Sequence, residues 1–233
     1  MFGMDENNPD HIVMCGEEWS DACQFWSTTY TEGDWAVEAG PDDEATRHKF
    51  QRLVDFVVTA SDEEFVEHFH EYLDLDACLN YYCYMCVSNA ADNGGKNMLL
   101  ATYDGLVWAP ALYDLDSLWG IEWDGLSLDL DSPYYLPYHE SGLLSRIRVC
   151  FEEELLARYA ELRGTILSEE NIWAHFEAFI AAIPAEAYEL DAGLWNADGR
   201  MIRTLDLMKI CVGEYLPRVD EAFSYGIEPT DPE

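Results

Sequence analysis

Basic residues are scarce in this chain. Only 12 lysines and arginines stand against 47 aspartates and glutamates in 233 residues, so the formal net charge is −35 at pH 7. The only lysines are Lys49, Lys96 and Lys209. A field of this sign repels nucleic acid and anionic membrane surfaces and attracts cations. We therefore expect no nucleic-acid partner. An acidic surface suited to a saline or crowded setting is the simplest account of the charge.

Long apolar runs are absent as well. No uninterrupted stretch approaches the ~20 residues that a membrane-spanning helix needs. The first residues, MFGMDENNPDH, lack the basic start and apolar core of a signal peptide. The sequence as it stands predicts a cytoplasmic protein with no membrane span. Association with a surface or coat is the expectation if an upstream portion is missing.

Few cysteines lie close enough together in the sequence to form a metal-binding pair. The seven cysteines are an odd and scattered set, which indicates free thiols in a reducing compartment. Cys83 and Cys86 form the one close pair, and they lie in LDACLNYYCYMCVSN, which is typical of a buried helix. No second pair completes a zinc site. We therefore predict that both are core thiols.

What is present is a globular composition, with 49% hydrophobic and 14% aromatic residues. Periodicity and capping signals predict an α+β fold that is mostly α-helical. In the first half of the chain we expect a short helix over 17–26, a short strand over 34–38, a helix capped by Asp42 or Asp43, a helix opened by the capping box Ser61-x-x-Glu64 and an aromatic helix over 74–89. In the second half we expect one continuous helical face from 141 to Gly164, a helix over 168–184 and a last helix over 200–223.

The centre of the chain differs from this helical pattern. Two strand-like runs flank Asp104-Gly105, a strong signal for a two-residue type I′ hairpin, in which both turn residues need φ > 0. In that register paired positions sum to 209, so Asn97 would face Leu112 and Gly95 would face Asp114. Neighbouring strands lie about 4.8 Å apart. The hairpin therefore predicts that Asp114 returns beside the turn over 92–97.

Two acidic motifs lie at the ends of this hairpin. Asp92 and Asn97 have the D-x-x-x-x-N spacing of a kinase catalytic loop, where the carboxylate accepts the substrate hydroxyl proton and the amide oxygen binds magnesium. Asp114 and Asp116 form a D-x-D pair, and Mg²⁺ prefers such hard oxygen ligands completed by phosphate and water. The same residues also fit ordinary turns and caps. An active site and a set of solvated turns are both open readings of the pattern.

The stretch from Tyr72 to Gly120 resembles the spore coat protein H (CotH) kinase-like family. The shared features are the helix YLDLDACLNYY, the loop DNGGKN followed by an apolar strand, and ALYDLDSLWG, which is similar to the family's P-W-D-x-D…G motif with Tyr113 in place of tryptophan. Looser likeness extends over most of residues 35–223. The resemblance implies a protein-kinase-like C-terminal lobe over 35–225, preceded by an N-terminal arm (1–34) and followed by a tail (226–233).

The resemblance also implies an activity and residue roles. The family resembles abbreviated protein kinases that transfer phosphate from ATP to serine of a protein substrate with Mg²⁺ or Mn²⁺. Asp92 would be the catalytic base, with Lys96 touching a phosphate. Asn97, Asp114 and Asp116 would bind the metal.

The upstream nucleotide-gripping part of a kinase has no counterpart in the sequence. There is no G-x-G-x-x-G loop and no lysine before Lys49. A missing or separate N-terminal lobe is one expectation. A degenerate, non-catalytic member that serves as a structural or surface-interaction module is another. A simple divalent-cation-binding acidic protein is the third.

Overall fold

The computed structural model describes residues 3–5, 7–122, 124–126, 141–195 and 204–226. The strands are β1 Ile12–Gly16, β2 Trp35–Ala39, β3 Met98–Thr102 and β4 Trp108–Leu112. The helices are α1 Glu44–Thr59, α2 Asp62–His68, α3 Leu75–Ser88, α4 Gly142–Cys150, α5 Glu152–Arg163, α6 Glu169–Ala182, α7 Ala185–Trp195 and α8 Leu205–Ala222, with 3₁₀ turns at Phe69–Glu71 and Ala91–Gly94. The predicted α+β, mostly helical class is confirmed. The expected helix start at Arg200 and residues 227–233 of the predicted tail lie outside the described residues.

The strands form one antiparallel sheet in the order β2-β1-β3-β4. Strand β2 and the hairpin β3–β4 agree with the sequence, but β1 was not anticipated. Its residues are buried on both faces of the sheet: Ile12 and Met14 face the main core, while Val13 and Cys15 belong to a second cluster with Leu99 and Ala101. A strand buried on both faces shows no polar alternation, and so it lacks the usual strand signature.

The predicted hairpin register was wrong by one residue. Met98 pairs with Leu112 and Thr102 with Trp108, so the loop has five residues instead of two. Gly105 has φ of +70°, but Asp104 is not among the residues with positive φ. Instead the Asp104 carboxylate accepts hydrogen bonds from the backbone of Leu106 and Val107 at 2.8 and 2.9 Å. These hydrogen bonds stabilise a wider loop than a two-residue type I′ turn.

Local capping signals predicted the helix starts well. Asp43 caps α1 through its carboxylate, and Ser61 with Glu64 forms a complete capping box at α2. Ser168 likewise accepts a hydrogen bond from the third residue of α6. Each cap satisfies a backbone N–H that has no partner inside the helix.

Two helix predictions need correction. The continuous face from 141 to 164 is broken at Phe151, which ends α4 and begins α5 with non-helical backbone angles. The break places the Phe151 ring against Phe69, with centroids 4.9 Å apart. Residues 17–26 form bends and turns instead of the predicted helix. Phe25 has φ of +57°, which a helix does not allow, and its ring packs in the core against Trp35.

Helix α3 lies at the centre of the molecule. Nine of its fourteen residues are buried, including both Cys83 and Cys86, as the aromatic, nearly all-apolar sequence predicted. All seven cysteines are free thiols. Among the described residues no helix is both long and apolar enough to cross a membrane.

Candidate active site

The end of α3 begins the candidate site. Asn89 adopts the left-handed conformation, with φ of +57°, and terminates the helix. The next residues form the 3₁₀ turn Ala91–Gly94, which carries Asp92. Because asparagine tolerates this conformation better than most residues, the chain leaves the helix sharply at this point. Asp92 therefore lies on a short turn between the central helix and β3.

The turn is held by a buried asparagine to which the sequence analysis assigned no role. Asn93 is 1% exposed, and its side-chain amide donates to the carbonyl of Asn97 at 3.0 Å and to the carbonyl of Tyr113 at 2.8 Å. Its own carbonyl accepts a hydrogen bond from the Tyr81 hydroxyl at 2.7 Å. One side chain thus connects the Asp92 turn to the segment that carries Asp114. A polar residue at the second position of DNGGKN was the only sequence signal for this role.

The turn also packs closely against β1. The backbone N–H of Asn97 donates to the carbonyl of Gly16 at 2.8 Å. A Cβ atom at Gly16 would lie 2.1 Å from the carbonyl oxygen of Gly95, so no other residue fits there without moving the backbone. No feature of the sequence pointed to Gly16, since the contact depends on a strand that was not predicted.

The predicted acids come together around Asp92. Asp92 is half-buried, and burial is the main cause that raises the pKa of its carboxyl group. The positive charge of Lys96 lowers that pKa, whereas the negative charges of Asp116 and Asp114 raise it further. Asp114 itself has φ of +51° and is exposed, as is Asp116. The four charged residues therefore form one electrostatic group.

The acidic segment is anchored on its far side by residues of the core. Leu118 and Trp119 are buried, and the N–H of Trp119 donates to the carbonyl of Ser88 at 2.6 Å. Gly120 has φ of +77°, and a Cβ atom there would approach Tyr215 of α8 to 3.1 Å. The segment between Tyr113 and Gly120 is thus fixed at both ends, at Asn93 and at the end of α3, with its two aspartates facing solvent.

The donor set fits a hard divalent cation. Asp114 and Asp116 carry exposed carboxylates, whereas Asn97, the third predicted ligand, is 8% exposed. Among the described residues the carboxylates of Asp92, Asp114 and Asp116 do not form a group whose atoms all lie within 4.8 Å of one another. As the side chains stand, at most two of these three carboxylates can share one ion, and Mg²⁺ takes one or two carboxylates and completes its octahedron with water and phosphate oxygens.

Two comparisons with known proteins place the chain among characterised families only through a family model. A search of curated proteins gave no match. The family model described as CotH kinase protein matches residues 11–205, which include every strand, the Asp92 turn and the acidic segment.

Proposed function

The chain belongs to the CotH kinase family, and from that membership and the site geometry we propose that it is a phosphotransferase. It transfers the γ-phosphoryl group of ATP to a serine or threonine hydroxyl of a protein substrate, with Mg²⁺ or Mn²⁺. The observation that carries the proposal is the pair of hydrogen bonds from Asn93, which joins the Asp92 turn to the Asp114 segment. Phosphoryl transfer depends mainly on positioning and charge stabilisation, so a rigid link between these two segments is its chief structural requirement.

Asp92 acts as the proton acceptor. Its carboxylate takes the proton of the substrate hydroxyl as the oxygen attacks phosphorus. The raised pKa of Asp92 makes the carboxylate a better base than an exposed aspartate, provided that it stays ionised at the working pH. A cation bound beside Asp114 and Asp116 lowers the same pKa by offsetting their negative charge. The free and metal-bound forms of the site therefore differ in the basicity of Asp92.

Asp114, Asp116 and Asn97 hold the divalent cation. When bound, the cation neutralises charge that develops on the transferring phosphoryl group. Lys96 is the one cationic residue whose charge is seen to act on Asp92, and it is half-buried. We assign Lys96 to a phosphate oxygen, because a cation next to a catalytic carboxylate stabilises the anion delivered there.

Ligand-induced stabilisation tests the cation and nucleotide parts of the proposal. Mg²⁺ or Mn²⁺ with ATP raises the melting temperature of the wild-type chain, because a ligand that binds only the folded state stabilises it. Asp114→Ala abolishes the rise. Asp21→Ala is the matched control, since it removes one exposed acid that has no part in the site. A wild-type chain that shows no shift with either cation and ATP is evidence against the kinase assignment.

A non-catalytic interaction module is the second candidate. It is favoured by the absence of a G-x-G-x-x-G loop from the sequence and by the scarcity of cations near the site, since Lys96 is the only cation among the described residues whose charge acts on Asp92. This candidate predicts cation-dependent stabilisation without transfer of phosphate. Measuring binding and turnover on the same sample separates the two.

A further inference from the structure

A second group of ligand-type side chains lies at the outer face of the sheet, which carries the smaller cluster of buried residues. The thiol of Cys15 and the carboxylates of Glu17 and Glu38 lie within 4.8 Å of one another. Cys15 is in β1, and Glu17 follows two residues later, on the same side of an extended chain. Glu38 comes from β2, the neighbouring strand. The group therefore depends on the pairing of β1 with β2.

Glu38 lies at a β-bulge between the two strands. Met14 pairs with Val37 and Val13 pairs with Ala39, so Glu38 is the extra residue between two consecutive pairs. Bulges redirect side chains and are enriched beside functional sites. In the regular part of the ladder Cys15 lies opposite Ala36, which has no ligand atom.

The group carries uncompensated negative charge. Neither Glu17 nor Glu38 forms an ion pair with any lysine, arginine or histidine in the described part of the chain. Cys15 is 2% exposed, and its thiol makes a 3.6 Å contact with the carbonyl of Gly16. Burial, with the charge and hydrogen bond of Glu17 and the charge of Glu38, raises the pKa of the thiol to about 12. Two exposed carboxylates thus converge on one buried thiol.

We propose that Cys15, Glu17 and Glu38 bind a divalent cation of the zinc class. On binding, the thiol releases its proton to solvent and the resulting thiolate sulfur bonds to the metal. One carboxylate oxygen comes from each glutamate, and water completes a four-coordinate site. A thiolate with two carboxylates suits borderline ions such as Zn²⁺ or Co²⁺ rather than Mg²⁺, which takes oxygen ligands only.

The geometry requires a small closure. Metal–sulfur and metal–oxygen distances of about 2.3 and 2.0–2.2 Å place tetrahedral ligand atoms roughly 3.5 Å apart. The two glutamates are exposed, so their side chains can approach by about 1 Å more without disturbing the core. Cys15, by contrast, is fixed in the sheet. The site is thus one buried, rigid ligand with two mobile ones.

This site lies beside the candidate active site but does not depend on the proposed kinase activity. Gly16, which follows Cys15, accepts the hydrogen bond from Asn97. Glu17 in turn donates its backbone N–H to the carbonyl of Asp34 at 2.8 Å. A cation at Cys15 therefore crosslinks β1 to β2 next to the strand end that supports the Asp92 turn.

Titration with Co²⁺ of the reduced, metal-free chain tests this proposal without ATP. A thiolate ligand produces a near-ultraviolet thiolate-to-cobalt charge-transfer band, which carboxylate sites lack. We expect the band to saturate at one Co²⁺ per chain and to disappear when Zn²⁺ is added. Cys15→Ser removes the band. The absence of a band from the folded wild-type chain overturns the proposal.

Glutamate variants keep the test valid even if Cys15→Ser disturbs folding. Losing a group that only hydrogen-bonds to a metal ligand typically weakens metal binding about 10–100-fold. Losing a ligand should cost at least as much, so Glu17→Gln and Glu38→Gln each raise the Co²⁺ dissociation constant at least tenfold. Glu18→Gln, at an exposed neighbour outside the group, leaves it unchanged. An equal affinity in all three variants shows that neither Glu17 nor Glu38 is a ligand and refutes the assignment. Asp114→Ala retains the band, so failure of the kinase proposal leaves this result unaffected.

Discussion

The side chain of Asn93 donates a hydrogen bond of 2.8 Å to the backbone carbonyl of Tyr113, across the base of the candidate active site. The same amide donates to the carbonyl of Asn97. Tyr113 precedes the aspartate proposed to hold the metal, and Asn93 follows the aspartate proposed as base. One buried side chain therefore links the turn that carries the proposed base to the segment that carries the proposed metal ligands.

Asn93→Ala should destabilise the protein and separate the two segments. It leaves two carbonyls without their donor, and an unsatisfied buried polar group costs about 1–3 kcal/mol. Urea unfolding measures the loss. Asn80→Ala is the control, because Asn80 is exposed and bonds only to Arg158 on the surface, so a change within about 0.5 kcal/mol is expected. Equal effects from the two substitutions would show that Asn93 does not hold the turn.

A pair of glycine substitutions tests the contact between β1 and the turn. Gly16→Ala places a methyl group 2.1 Å from the carbonyl of Gly95, so one backbone must move. Overpacking of this kind typically costs about 1–3 kcal/mol. Gly213→Ala lies on an exposed face of α8 with nothing within 4 Å of the new atom, and helix propensity predicts a gain of about 1 kcal/mol. Gly16→Ala should lower the denaturant midpoint relative to wild type, and Gly213→Ala should raise it. A Gly16→Ala variant as stable as wild type would contradict the packing.

Breaking the Arg163–Asp220 pair should cost far more stability than breaking a surface ion pair. Arg163 is 7% exposed and donates to both carboxylate oxygens of Asp220, at 2.8 and 2.9 Å, while Tyr159 donates to one of them at 2.8 Å. Removing one member of a buried pair costs about 3–5 kcal/mol. Arg163→Leu should therefore reduce the free energy of unfolding strongly. Lys209→Ala, which breaks an exposed pair with Glu177, should cost under about 1 kcal/mol.

The raised pKa of Asp92 predicts a conflict between stability and activity. Because the folded-state pKa lies above the usual aspartate value, the folded chain binds more protons than the unfolded chain between these two values. Stability attributable to this group therefore falls as pH rises through that interval, and the penalty is complete at neutral pH. Asp92→Asn should be more stable than wild type at pH 7.5 and inactive in phosphate transfer.

The same linkage provides a control for that prediction. The stability advantage of Asp92→Asn, measured by urea unfolding at a series of pH values, should shrink as the pH falls through the raised pKa. Asp21→Asn, at an exposed acid, should show no such pH-dependent advantage. An Asp92→Asn variant that is less stable than wild type at pH 7.5 would mean that the ionised carboxylate is favourably held.

Sequence reasoning succeeded where the determining interactions are local. The caps at Asp43 and Ser61 depend on residues three positions apart, and the burial of α3 follows from its composition. The hairpin was found but its register was not, because Asp-Gly indicates a tight turn only if both residues have positive φ. The Asp104 carboxylate instead accepts hydrogen bonds from Leu106 and Val107, inside a five-residue loop.

The parts that the sequence did not predict depend on contacts between distant segments. Strand β1 is short and buried on both faces, so it lacks a periodic signal, and with it the role of Gly16 was invisible. Asn93 looked like an ordinary turn residue, since its partner at Tyr113 lies twenty positions away. The candidate acids could be named from spacing, but what positions them could not.

Phosphate transfer itself tests the central proposal most directly. The chain is incubated with γ-³²P-labelled ATP and Mg²⁺ or Mn²⁺, with casein as an added acceptor, and label on serine or threonine of either protein is counted. The account predicts label with the wild-type chain and with Asp21→Asn, and loss of label with Asp92→Asn and with Asp114→Asn. A folded wild-type chain that binds cation and ATP but transfers no label, or an Asp114→Asn variant that labels as well as wild type, would contradict it.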